Sequence, residues 1–144
     1  MKATITALVI IHVVVALWHG DAHSSLAIEL PFFKNLFVYV VILGAPIVGA
    51  ALLWTGYRAH GAALVGIAAA AALVFGAYHH YVLVSPDNIA HLPAGAAASQ
   101  AQFIDSAAVI AINELLLALA GFYALGQLRQ GQRRPDNGTR EERS

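Results

Sequence analysis

Histidines carry most of the chemistry that this chain can perform. It contains seven of them and no cysteine, and imidazole is both the commonest protein metal ligand and a proton carrier near neutral pH. Six fall near one end of the apolar segments described below, and only His60 lies elsewhere. This asymmetry indicates a metal-handling or proton-handling site on one side of the molecule. The six are His12, His19, His23, His79, His80 and His91.

The first three of these histidines form the most ordered pattern. His12 and His19 are seven positions apart and His19 and His23 are four apart, so all three lie on one stripe if the helix persists through Gly20. A histidine pair at i and i+4 can clamp one metal ion, as it does in zinc-binding helices. The alternative is that His19 and His23 are interfacial residues solvated by water and headgroups.

His79 and His80 are adjacent, and neighbours on an α-helix point about 100° apart, so they are not expected to ligate one ion together. His80 shares a face with Gly76, where a small residue leaves room for a partner helix or a cofactor. His79 lies on the face of Ala72 and Phe75. The sequence leaves open which of the two histidines faces the interior.

Glu114 is the most specific single candidate for a functional residue within the membrane. It follows Phe103 by eleven residues, which places it roughly 16 Å into the membrane at the helical rise. The small residues Ala111, Ala118 and Gly121 on its face indicate a close helix contact, so the carboxyl should point into protein. Intramembrane carboxyls are costly and are functional candidates. Glu114 is therefore a candidate metal ligand, proton relay or catalytic acid or base; the alternative is a protonated packing residue.

The depth of these residues suggests two tiers. His12 lies about 9 Å below Trp18 by the helical rise, between the outer histidines and Glu114, although a structural role in the core is the alternative for it. If the first, third and fourth helices are neighbours, the tiers form a polar column from the surface to the midplane. The outer tier is His19, His23 and His79 or His80, and the inner tier is His12 and Glu114.

Composition identifies the elements that must position these residues. The chain has 144 residues, of which 59% are hydrophobic and 11% charged, against about 25% charged in soluble domains. Four apolar runs each approach the ~20 residues that span a bilayer. We predict an all-α membrane protein with a four-helix transmembrane domain over 1–128 and a flexible polar tail over 129–144. The helices are predicted at about 4–23, 32–57, 62–84 and 99–128.

Two local features refine that prediction. Gly44 and Pro46 predict a kink in the second helix. The first helix resembles a signal peptide, but no good small-x-small site precedes His23, so we expect it to be retained.

Charge predicts orientation and partners. Seven of the eight Lys and Arg residues fall on the side that holds both termini, against Lys34 on the other. We therefore predict an integral protein of a prokaryotic plasma membrane, with cytoplasmic termini and outward-facing histidines. The formal net charge is zero, which predicts no nucleic-acid partner. The expected partners are the lipid bilayer and either a second copy of the chain or other membrane subunits.

The leading functional hypothesis is transition-metal binding. Nitrogen and oxygen ligands without sulfur suit copper, zinc or non-haem iron, and an open coordination position would permit redox or small-molecule chemistry. The candidate ligands are His12, His19, His23, His79, His80 and Glu114.

Three alternatives stay open on the sequence alone. One is a haem b, cytochrome-like protein, with His12 or His19 and His79 or His80 as axial ligands and with Gly66 and Gly76 making room for the porphyrin. Another is a proton or metal-ion conducting protein whose path ends at a buried carboxyl. The third is a non-catalytic accessory subunit of a larger membrane complex.

Overall fold

The computed structural model describes residues 1–133, and its regular structure within that range is helical. Four helices are long and apolar enough to cross a membrane, which confirms a helical fold with four potential spans. They are α1 (Lys2–Ser25), α2 (Phe32–Leu52), α3 (Arg58–Val82) and α4 (Ala97–Arg133).

The helix ends differ from the predicted bounds mainly at the turn between α2 and α3 and at the end of α4. α2 ends at Leu52 rather than at 57 because the chain turns there, with the amide of Thr55 donating to the carbonyl of Leu52 at 3.1 Å. α4 continues to Arg133, since Gln and Arg are good helix formers. The rest of the predicted tail, 134–144, lies outside the described residues.

The four helices form a ring. α1 packs against α2, α2 against α3, α3 against α4, and α4 against α1. The premise that the first, third and fourth helices are neighbours holds for α4, which contacts both α1 and α3. α1 and α3 lie diagonally and meet through side chains at the centre of the bundle. Large apolar side chains such as Ile10, Ile67 and Leu119 point outward, as expected for a lipid-facing surface.

At the end opposite the histidines, glycines bring the helix backbones together. A Cβ atom on Gly121 would lie 2.6 Å from the amide nitrogen of Gly66, and one on Gly61 would lie 2.6 Å from the carbonyl oxygen of Gly49. Small residues allow this close approach within a membrane. This half of the bundle is therefore closed, and the backbone of α4 occupies the space beside Gly66.

The break expected in α2 takes the form of a π-helical segment, Val38–Gly44. Pro46 has no amide hydrogen, so it cannot donate to the carbonyl of Ile42 four residues earlier. That carbonyl accepts a hydrogen bond from Nε2 of His12 instead, at 2.9 Å. The irregular segment of α2 thus binds α1 at the level of His12.

The segment 83–96, between α3 and α4, folds over the histidine end. Asp87 and Asn88 are buried in it, and the amide of Ile89 donates to the carbonyl of His80 at 3.0 Å. Its apolar side chains cover a small core beside the histidines, so the segment is a structured cap. That core comprises Ala22, Leu26, Ile28 and Phe103, with Ile89 and Leu92 packed against it.

Candidate metal centre

The half of the bundle without the close glycine contacts is more open. Three histidines converge at its centre. α1 supplies His19 and His23 from successive turns, because the helix persists through Gly20 as the stripe requires. α3 supplies His80 from the opposite side. Nε2 of His19 lies 3.2 Å from Nε2 of His80 and 3.2 Å from Nε2 of His23. One ligand atom from each residue lies within 4.8 Å of the others, so the group can hold a metal ion.

A second π-helical turn, Tyr78–Val82, aims His80 into this group. The amide of Leu83 donates to the carbonyl of Tyr78 at 2.8 Å, five residues back, and such turns are frequent at functional sites. His79 points elsewhere: its ring lies against Phe75, with centroids 4.2 Å apart. The structure therefore answers the question that the sequence left open, because His80 meets His19 and His79 does not.

The hydrogen bonds of His19 fix its tautomer. The hydroxyl of Ser106 donates to the carbonyl of Phe103 at 3.1 Å. Its oxygen is then an acceptor for the ring, and Nδ1 of His19 donates to it at 2.8 Å. A neutral imidazole with its proton on Nδ1 has a lone pair on Nε2, so His19 presents a free nitrogen to the centre.

His80 is fixed in the same way by the cap. Its Nδ1 lies 2.9 Å from the backbone carbonyl of Asp87, and a carbonyl only accepts, so Nδ1 carries the proton. Nε2 of His80 therefore also presents a lone pair. Two acceptor nitrogens, on His19 and His80, face each other at 3.2 Å. A cation bound beside both lone pairs would stabilise this arrangement.

Asp87 gives the site a negative charge. Its Oδ1 lies 3.3 Å from Nε2 of His23 and 3.2 Å from Nδ1 of His80. Burial would raise the pKa of this carboxyl, but its close contact with His80 and its charge interactions with His80, His23 and His19 outweigh burial and hold the pKa below its usual range. An anionic carboxylate beside three imidazoles favours a bound cation.

Two of the three nitrogen–nitrogen distances, those from Nε2 of His19 to Nε2 of His23 and of His80, match what an ion needs. Tetrahedral coordination at a metal–nitrogen distance of ~2.0–2.1 Å places neighbouring ligand nitrogens about 3.3 Å apart. Phe103 is fully buried and packs against all three rings, with centroid distances of 4.9 Å to His19, 5.0 Å to His23 and 5.4 Å to His80. The rings are thus held close to the geometry that coordination requires.

Glu114 lies below this group, and the three histidines and Glu114 line one cavity within the bundle. Only 3% of the residue is exposed, and no residue in the described range forms a side-chain hydrogen bond with it. A Cβ atom on Gly76 would lie 3.9 Å from Oε2 of Glu114 and 3.8 Å from Cδ2 of His80. The small residue at Gly76 thus leaves open the space between the carboxyl and the histidines.

The other predicted ligands lie outside the group. His12 is buried at a deeper level, with its Nε2 bound to Ile42. His79 uses its Nδ1 on the carbonyl of Phe75, at 2.8 Å. His91, which was not among the predicted ligands, is exposed in the cap. The structure does not bring His12 or His79 to the three converging nitrogens. Metal ligation by either residue stays a prediction.

Two residues of the site were not predicted as members of it. The carboxylate of Asp87 lies between His23 and His80. Ser106 lies four positions after Gln102 on α4, and this polar spacing was the available signal in the sequence. Its contact with His19, 87 positions away, depends on how α1 and α4 pack.

Comparison of the chain with protein-family models, with curated proteins and with solved structures finds no match. The role of the site therefore rests on its own geometry.

Proposed function

We propose that this protein is an integral membrane protein that binds one transition-metal ion through Nε2 of His19, His23 and His80. The observation that carries the proposal is the convergence of these nitrogens, two of which are fixed as lone-pair donors by Ser106 and by the backbone of Asp87. Three imidazoles with a nearby carboxylate suit copper, zinc or non-haem iron.

The ligand number supports chemistry at the ion. Catalytic zinc sites commonly have three protein ligands and a fourth position for water or substrate. Here the three histidines line a cavity that also contains the carboxyl of Glu114. A molecule bound at the open position would thus lie near a group that can act as an acid or a base.

The same geometry favours a single ion over haem b. Axial ligands approach haem iron from opposite faces of the porphyrin, whereas these three imidazoles converge and share contacts with one side chain, Phe103. Gly66, expected to make room for the ring, lies against the backbone of Gly121. Ion conduction, a role as an accessory subunit and assembly with further subunits stay predictions.

The test is metal analysis of the full chain purified in detergent. After loading with Cu²⁺, Zn²⁺ or Fe²⁺ and desalting, we expect one ion per chain for at least one of the metals. His23→Ala should reduce the bound metal at least tenfold, because it removes one of the three ligands. His91→Ala is the matched control, since His91 is exposed in the cap. A protein that retains no ion, or equal metal in both variants, would overturn the proposal.

A further inference from the structure

A large cavity lies in the open half of the bundle, with the three histidines at one end and Glu114 deeper along it. Its volume is about 850 Å³, within the range of sites that bind small organic molecules (~300–1,000 Å³). All four helices and the cap contribute to its walls. The close glycine contacts lie in the opposite half of the bundle, and none of the glycines that make them lines the cavity.

The cavity opens sideways between α1 and α2. Leu17 of α1 and Tyr39 of α2 both line it, yet they are 63% and 66% exposed on the outer surface of the bundle. They therefore form the rim of an opening. The backbones of α1 and α2 pack together along Ala45–Leu52, and this opening lies on the other side of the hydrogen bond between His12 and Ile42. Between membrane-spanning helices, such an opening faces hydrocarbon.

The walls define the chemistry of the occupant. Among the described residues that line the cavity none is Lys or Arg, so the site offers no countercharge to a phosphate or a carboxylate. The amide of Asn35 is already engaged with the carbonyl of Leu30, at 2.8 Å. Besides the histidines and Glu114, polar side chains on the walls are those of Asp87, which contacts His23 and His80, and of Ser24, Glu29, Asn35 and Tyr39. Apolar contacts come from Ala16, Leu43, Ala72, Phe75, Ala107 and Ile110.

We propose that this cavity binds an uncharged, membrane-dissolved molecule that enters between α1 and α2. Its polar end, a hydroxyl or carbonyl group, lies between the metal ion and Glu114, which is buried and has no partner among the described residues. Its apolar part lies along the rim formed by Leu17 and Tyr39. This inference rests on the proposed metal site and names the class of molecule that the open coordination position receives.

The experiment uses the metal-loaded full chain in phosphatidylcholine nanodiscs. The probe is a long-chain alcohol with a photoreactive diazirine, and labelled residues are mapped by mass spectrometry. We expect saturable labelling of cavity residues that excess unlabelled alcohol removes. Leu17→Trp, which narrows the opening, should reduce labelling at least fivefold. Val74→Trp is the control, since Val74 faces outward on α3 and does not line the cavity.

Metal content is measured on the same preparations, so that the two proposals fail separately. A bound ion without saturable cavity labelling overturns the present inference and leaves the metal site intact. Saturable labelling of a protein that holds no ion overturns the proposed function alone. Labelling by a diazirine phosphatidylcholine in place of the alcohol, or an equal loss in Leu17→Trp and Val74→Trp, also contradicts the uncharged occupant or its route.

Discussion

At the scale of single residues, the partners of the histidines matter as much as the histidines. Ser106 holds Nδ1 of His19, and the Asp87 backbone holds Nδ1 of His80. Each contact fixes the tautomer that leaves Nε2 free to bind. In many metalloproteins, groups that hydrogen-bond to the histidine ligands without contacting the metal tune its affinity and the orientation of the rings.

Replacing Ser106 with Ala tests this role. The substitution removes the acceptor that keeps the proton of His19 on Nδ1, so we expect the metal Kd to rise about 10–100-fold, measured by competition with a chelator. Ser24→Ala is the control, because its hydroxyl is exposed and donates to the carbonyl of Gly20 within α1. An equal Kd for the two variants would show that the tautomer does not control binding.

For His12, in contrast to Ser106, we expect an effect on stability and none on metal binding. Its Nε2 binds the carbonyl that Pro46 leaves free, so His12→Leu should destabilise the bundle by about 1 kcal/mol and leave bound metal unchanged. Unfolding in a denaturing detergent and metal analysis measure the two effects. His60→Leu, at an exposed histidine near the opposite end, should change neither. Loss of metal in His12→Leu would instead support the prediction that His12 is a ligand.

The sequence predicted part of the site for a clear physical reason. The spacing of His19 and His23 places them on one helix face whatever surrounds that helix. The choice between His79 and His80 was not predictable, because a π-helical turn with no proline to mark it decides it. The contributions of Asp87 and Ser106 depend on the cap and on the packing of α4, which periodicity does not encode.

At the scale of elements, irregular turns and close contacts have separate roles. One π-helical segment lies in α2, where Ile42 binds His12, and the other lies in α3 and contains His80. The glycine contacts occur in the other half, where α3 crosses α4 and α2 crosses α3. The break near Gly44 and Pro46 was predictable from proline chemistry, but its π-helical form and its partner on α1 were not.

Gly121→Ala tests the crossing of α3 and α4. Its new Cβ would lie 2.6 Å from the backbone of Gly66, so the helices must separate. We expect a loss of about 2 kcal/mol or more in the free energy of unfolding. Gly126→Ala on the same helix is the control, since nothing lies within 4 Å of its new Cβ, and it should be neutral or stabilising by up to about 1 kcal/mol. Similar effects at both positions would refute the close crossing.

At the scale of the whole molecule, one half is closed and the other is open. The four spans were predictable because bilayer thickness fixes the length of each apolar run. The ring order, which places α1 and α3 diagonally, was not predictable from the runs themselves. It is this order that brings His80 across the bundle to His19.

Metal binding should stabilise the whole bundle, because the ion joins two diagonal helices. At a free metal concentration 100 times the Kd, we expect a gain of about 2.7 kcal/mol, seen as a rise in Tm that EDTA reverses. His23→Ala should lose this rise, whereas His91→Ala should keep it. A metal-dependent rise of equal size in His23→Ala would place the stabilising ion elsewhere.

The diagonal arrangement also has a consequence for biogenesis. His19 and His80 are 61 positions apart, the Asp87 carbonyl follows α3, and Ser106 lies on α4. A chain inserted one span at a time delivers two imidazoles first, and the helices associate only after they have crossed the bilayer. The complete set of donors and orienting partners is therefore assembled only after the fourth span is in place. Capture of the ion would mark the end of topogenesis, and partly inserted chains would lack the site that retains it.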